Sequence, residues 1–139
     1  MYNNSMSTHA KYKTSPGCVH NINYHFVWCP KYRRKVLEGQ VAKDLKSLIQ
    51  EKATQIGVII GALEVMPDHV HVFVQAPPTL SPHRIINQFK GFTSRILRQR
   101  HASLVSRLPT LWSRSYYVGV AGFVSESTIK AYIENQKGK

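Results

Sequence analysis

The chain has 139 residues, 42% of them apolar, which suits one folded domain with a real core. Nineteen Lys and Arg stand against seven Asp and Glu, leaving a formal charge of +12, and so one-sided an excess points to a polyanionic partner rather than to solubility alone. No apolar run approaches the roughly 20 residues of a membrane span, no secretory signal is evident, and two cysteines build neither a disulfide framework nor a zinc knuckle. A cytoplasmic protein with no membrane contact is the expectation.

Residues 1–16 are polar and are expected to form a flexible arm ahead of a single domain over 17–139. Residues 18–29, CVHNINYHFVWC, alternate as a strand does, with Ile22, Tyr24, Phe26 and Trp28 on one face. Pro30 ends it, and KYRRK follows as a basic turn. From Val41 to Ile56 the apolar residues Val41, Leu45, Leu48, Ile49 and Ile56 fall at helical spacing, and Gly57 stands where a C-terminal cap belongs. Residues 58–66 and 69–76 read as two strands joined by the tight link Pro67-Asp68, hence a hairpin.

Ser81 can cap, and Pro82 can start, a helix running to Arg100. Its inward stripe is Ile85, Phe89, Phe92 and Ile96, which leaves Arg84, Lys90, Arg95, Arg98 and Arg100 mostly outside. A charge run of this kind is often just a solvated face, but the helix has no balancing acids, which favours a phosphate-facing surface. A loop through Pro109 leads to a strand over 115–121, and Ser125 can cap a last helix. The order is βαββαβ plus a terminal helix. That is an α+β, ferredoxin-like plan: an antiparallel sheet with helices on one face and the other face free to work.

On that free face the stretch PDHVHVFVQ places His69 and His71 side by side, while Val70, Val72 and Val74 turn to the core. In the last helix Tyr132 and Gln136 are one turn apart. Two imidazoles and an amide oxygen suit a divalent metal with positions left open. A tyrosine hydroxyl beside such an ion is a candidate nucleophile for a phosphodiester. Each feature also has a bland explanation: paired histidines on a strand are often surface residues, a tyrosine near a helix end is often packing, and a glutamine there is often solvated.

The combination is similar to a known family. EVMPDHVHVFV resembles the HUH motif (His, hydrophobic, His) of the single-tyrosine transposases of the IS200/IS605 insertion-sequence family. NYHFVWCPKYRRKVL resembles their first strand and basic turn, and LWSRSYYVGVAGFVSESTIKAYIENQ their C-terminal strand and nucleophile helix. The resemblance spans Cys18 to Gln136. It implies that Tyr132 is the nucleophile and that His69, His71 and Gln136 hold Mg²⁺ or Mn²⁺. It further implies a homodimer that cleaves and rejoins single-stranded DNA at subterminal hairpins through a 5′-phosphotyrosine, with no nucleotide cofactor. The nucleophile helix of such proteins can serve the partner's histidine pair, and Gly119 and Gly122 before it are compatible with that movement, or with ordinary strand-end bends. Lys31, Arg33, Arg34, Arg84, Lys90, Arg95 and Arg98 then become candidates for DNA phosphates. Tyr32 and Phe92 are candidates for stacking on an unpaired base, Phe92 being better suited to the core. Two alternatives stand beside this. One is a REP-associated tyrosine transposase acting on chromosomal repeats, against which the lack of a long basic extension after Gln136 argues. The other is a non-catalytic nucleic-acid-binding module, which would leave Tyr132 unexplained.

Overall fold

The structure, a computed structural model, describes residues 13–15, 18–120 and 126–139. Six strands and four α-helices follow in chain order: β1 (Lys13–Ser15), β2 (Cys18–His20), β3 (Ile22–Trp28), α1 (Gly39–Ile56), β4 (Ile59–Met66), β5 (His69–Ala76), α2 (Pro82–Arg100), α3 (Ala102–Arg107), β6 (Tyr117–Val120) and α4 (Glu126–Glu134). The main sheet runs β4-β5-β3-β6 with every neighbouring pair antiparallel. This is the ferredoxin-like strand order, and the α+β plan expected from the periodicity holds.

The first expected strand is divided. The chain breaks at Asn21, and Cys18–His20 turns back on Lys13–Ser15 as a separate two-stranded ribbon. Strand structure therefore reaches into the segment expected to be a loose arm. Further on, the loop expected before Pro109 contains the short α3. The expected cap at Ser125 and the glycine at 122 lie outside the described residues.

One sheet face is packed under α1 and α2. Phe26, Trp28, Val70, Val72 and Val74 are fully buried there, together with Leu45 and Ile49 of α1 and Ile85, Ile86, Phe89 and Leu97 of α2. Trp28 stacks on Phe89 with ring centroids 6.3 Å apart, and Trp112 meets Trp28 edge-on at 5.8 Å. The indole N–H of Trp112 donates to Thr93 Oγ1 at 3.1 Å, whereas the buried indole nitrogen of Trp28 has no hydrogen-bond partner among the described residues. Both helix-end signals act as their chemistry requires. Gly57 adopts φ 82°, a left-handed conformation open to glycine, and its N–H bonds to Ala53 O at 3.0 Å. The Ser81 hydroxyl accepts from the Arg84 N–H at 3.2 Å with Pro82 opening the helix.

The second sheet face is less open than the alternation suggests. His25 is 2% exposed, and Val27 and Cys29 are fully buried although they point away from the α1–α2 layer. Among the described residues no helix is long and apolar enough to cross a membrane. Phe89, with no exposed surface and a direct stack on Trp28, supplies a test of the core. Phe89→Ala is expected to lower the unfolding free energy in urea by about 3–5 kcal/mol; a loss below about 1 kcal/mol would show that the core does not rest on this stack.

Candidate active site

The ladder register assembles the site. Val27 of β3 lies opposite both His71 of β5 and Tyr117 of β6, and His25 lies opposite Phe73 and Gly119. His25, Val27, His71, Phe73 and Tyr117 therefore share the face turned away from α1 and α2. His69 stands at the start of β5 on the same face, its ring edge-on to His71 with centroids 4.9 Å apart.

Each histidine of the pair meets a partner through Nδ1. His69 Nδ1 is 2.7 Å from Asp68 Oδ1, and since a carboxylate only accepts, His69 carries its proton on Nδ1. His71 Nδ1 is 3.1 Å from His25 Nε2. In both rings Nε2 is the nitrogen left to offer a ligand. Burial, then the neighbouring His69, holds the pKa of His71 below the ordinary histidine value. His25, stacked on Phe73 at 4.0 Å, is pushed down to about 4 by burial and then by His71. Lowering the pKa of His71 favours the neutral imidazole that metal ligation needs.

The basic turn reaches into the site instead of away from it. Tyr32 and Arg33 both take left-handed backbone angles, φ 60° and 53°, a conformation that costs non-glycine residues of order 1–3 kcal/mol each. The distortion aims Arg33 inward, where its side chain is 12% exposed. Arg33 Nε pairs with Asp68 Oδ2 at 3.2 Å, while Nη1 donates to Ile133 O at 3.2 Å and approaches Glu134 Oε2 at 3.5 Å. One guanidinium therefore joins the carboxylate that orients His69 to the C-terminal end of α4.

The helix expected to carry both Tyr132 and Gln136 ends at Glu134, so Tyr132 lies in α4 and Gln136 in the turn after it, both against the segment before β6. The Tyr132 hydroxyl is 3.3 Å from Ser115 Oγ, and its ring centroid is 6.5 Å from that of Tyr117. Burial raises the phenol to about 12, against the opposing Ser115 hydrogen bond. Gln136 is 5% exposed. Its Oε1 accepts from Ser115 Oγ at 2.9 Å and Ser113 Oγ at 3.4 Å, and its Nε2 donates to Tyr132 O at 3.3 Å. Gln136 is thus engaged by two serines. Among the described residues no group of three or more His, Cys, Asp or Glu forms a metal cage.

Of the basic residues expected to meet phosphates, Arg34, Arg84 and Arg95 are exposed. Lys31 and Arg34 lie over the exposed Tyr32 ring at 5.2 and 5.7 Å, and Phe92 is half-buried beneath Lys52 and Arg95 at 4.4 and 5.8 Å. Arg33, Lys90 and Arg98 turn inward. Arg98 donates to the carbonyls of Leu104 and Leu108 at 3.3 and 3.2 Å. Lys90 Nζ donates to the carbonyls of Ser113, Arg114 and Ser115 at 2.8, 3.4 and 3.3 Å, fixing the segment that holds Tyr132 and Gln136. His25, Asp68, Ser113 and Ser115 were not singled out by sequence reasoning. The available signals were a histidine in the off-core phase of a buried strand and an acid adjacent to His69.

The chain matches known proteins over most of its length. The family model described as "Transposase IS200 like" matches residues 18–136. The chain belongs to this family. It is 35% identical over 129 residues to the ISDra2 transposase TnpA of Deinococcus radiodurans, covering 91% of this chain and 92% of that protein. It is also 30% identical over 118 residues to the transposase for insertion sequence element IS200 of Salmonella typhimurium, covering 84% and 77%. A crystal structure of a Deinococcus radiodurans R1 chain assigned as a transposase superposes with TM-score 0.80 at 37% identity, over 89% of this chain and 97% of that one. A REP-associated tyrosine transposase bound to a REP hairpin shares the fold alone, with TM-score 0.54 at 14% identity, over 81% and 62%. The family is one of DNA-processing enzymes of insertion sequences.

Burial of Lys90 yields a test of how the serine segment is held. Its folded pKa is lowered from 10.5 to about 8 by burial. Between those values the unfolded chain binds the proton that the folded chain has released, so this stabilising contribution is present above about pH 10.5 and is lost as pH falls through 8. Urea titrations of wild type and Lys90→Met at pH 7.5, 8.5 and 9.5 should show the wild type gaining on the variant as pH rises. A difference independent of pH would place Lys90 in a solvated setting.

Proposed function

We propose that this transposase cleaves and rejoins single-stranded DNA by transesterification through Tyr132, recognising subterminal hairpins, as a homodimer working in the cytoplasm. The observation that supports the reading is that the Arg33 guanidinium joins Asp68, the partner of His69, to the C-terminal end of α4, whose Tyr132 ring lies 6.5 Å from Tyr117 on the face of His71. Family membership over 18–136 supports the chemistry. The hairpin bound by the REP-associated relative supports the substrate.

Tyr132 Oη attacks phosphorus, the P–Oη bond forms and the P–O3′ bond breaks, and the departing oxygen takes a proton to become a free 3′-hydroxyl. The 5′-phosphate stays on the tyrosine. In the rejoining step a 3′-hydroxyl attacks the same phosphorus and the phenol leaves, a better leaving group than an alkyl alcohol, so no nucleotide hydrolysis is required. His69 and His71 through Nε2, and Gln136 through Oε1, would hold Mg²⁺ or Mn²⁺. That ion would polarise the scissile phosphate and offset charge in the transition state. The donor set fits, because both histidines are Nδ1-bonded and His71 is held below its ordinary pKa. Asp68 and Arg33 keep the site aligned, and Arg34, Arg84 and Arg95 meet backbone phosphates. The REP-associated reading is the weaker of the two, since the insertion-sequence relative matches over 92% of its length and the REP-associated chain over 62%.

Tyr132→Phe should leave hairpin binding unchanged and abolish the denaturant-resistant protein–DNA adduct on single-stranded substrate. EDTA should abolish the wild-type adduct, with Mg²⁺ or Mn²⁺ restoring it. A persistent 5′-linked adduct in Tyr132→Phe would falsify the assignment of the nucleophile, and full activity in EDTA would remove the metal from the mechanism.

Assembly has its own test. Mixing Tyr132→Phe with His71→Ala chains should recover cleavage if α4 of one subunit serves the histidines of the other. No recovery despite demonstrated subunit exchange would assign the site to a single chain.

A further inference from the structure

His25 occupies the middle of β3 and is 2% exposed. Its ring stacks on Phe73, directly across the ladder, with centroids 4.0 Å apart and planes 9° apart, and Tyr117 closes edge-on at 6.1 Å. These surroundings are aromatic, and phenylalanine would fill them without burying ring nitrogens. Such burial is costly: among the described residues His25 Nδ1 has no hydrogen-bond partner, a deficit of about 1–3 kcal/mol for a buried polar group. The ring's described polar contact is Nε2 to His71 Nδ1 at 3.1 Å. Packing alone does not account for a histidine here, but the contact to His71 does.

A single proton fits between two nitrogens at that distance. Were His25 Nε2 the donor, His71 would keep its own proton on Nε2 and could not ligate through it. With His71 Nδ1 as the donor, His71 presents a bare Nε2 lone pair and His25 keeps its proton on Nδ1. We propose that His25 is the positioning residue of His71, accepting its Nδ1–H so that the ring is held in the tautomer and orientation that bind the metal. This rests on the reading of His69 and His71 as ligands. Asp68 does for His69, at 2.7 Å, what His25 does for His71. The two histidines are thereby made unequal. A carboxylate enriches the His69 ring, whereas a neutral imidazole at 3.1 Å leaves His71 the weaker donor and ties it to β3.

The test uses the full chain without DNA, with free Mn²⁺ measured by EPR titration. His25→Phe keeps the ring and the stack but removes the acceptor; His25→Gln restores an acceptor near the Nε2 position. His25→Phe should bind Mn²⁺ about 10–100-fold more weakly, with hairpin affinity unchanged, and His25→Gln should recover most of the loss. In wild type saturated with Mg²⁺, ¹⁵N NMR should find His71 protonated on Nδ1. Wild-type Mn²⁺ affinity in His25→Phe, or His71 protonated on Nε2 in the Mg²⁺ form, would overturn the proposal. Should His25→Phe not fold, the glutamine variant and the NMR tautomer decide. His69→Ala separates the two readings. If it binds Mn²⁺ as wild type does, the histidine pair is not the metal site and both fall; if it loses Mn²⁺ while His25→Phe does not, only the role of His25 falls.

Discussion

Arg33 is the contact on which the arrangement of the site depends. Its guanidinium lies among Asp68, the carbonyl of Ile133 and the carboxylate of Glu134, joining three segments that are far apart in sequence. Two consecutive left-handed residues are needed to bring it there, and that strain is sustained because a nearly buried guanidinium gains charge-assisted hydrogen bonds on both sides. Asp68 is held in turn, so its second oxygen faces His69 in a fixed direction. Without Arg33 the carboxylate at the start of β5 would be an uncompensated, mostly buried charge beside the histidines.

The same interaction explains how the charge of the chain is divided. Acids are scarce, and several are engaged internally: Asp68 and Glu134 with Arg33, and Asp44 with His101 at 2.8 Å and Arg100 at 3.8 Å. Some cations are engaged internally too, Lys90 and Arg98 on backbone carbonyls. What faces water is still one-sided, with Arg34, Arg84 and Arg95 exposed. Exposed and internally engaged basic residues thus alternate within the same runs, KYRRK and the α2 helix.

That division marks the boundary of what the sequence alone makes legible. Alternation along 69–76 located β5 to the residue, and Ser81, Pro82 and Gly57 marked helix ends because capping and left-handed angles are local chemistry. The phase of His69 and His71 relative to Val70, Val72 and Val74 was equally local. The destination of a long side chain is not. Lys90 read as an outward charge by periodicity and Arg33 as part of a phosphate-facing basic turn, yet flexible stems carry their heads back to carbonyls and a carboxylate. His25 escaped for a related reason. Its importance comes from the β3–β5 register, a long-range pairing that no window of sequence contains. The division of the first strand at Asn21 and the short α3 after His101 are decided by tertiary packing more than by pattern.

The way α4 is held bears on which chain its tyrosine serves. The described contacts that fix it are mostly polar: Arg33 to Ile133 O and Glu134, Ser115 to Tyr132, and Ser113 and Ser115 to Gln136. The buried apolar cluster under α1 and α2 includes no described residue of α4. Ile133 is only half-buried, and the side chain of Ile129 lies outside the described residues. Hydrogen bonds of this kind contribute about 0.5–1.5 kcal/mol net, because water offers nearly equivalent partners. The Glu134 carboxylate, 68% exposed, adds little. In the proposed homodimer an exchanged helix would meet equivalent contacts, because a second copy of the chain presents the same Arg33 and the same serines by symmetry. The Gln136 oxygen accepts from both Ser113 and Ser115, which occupies both lone pairs of an amide oxygen, so the ligand role proposed for it would require at least one of these contacts to be given up.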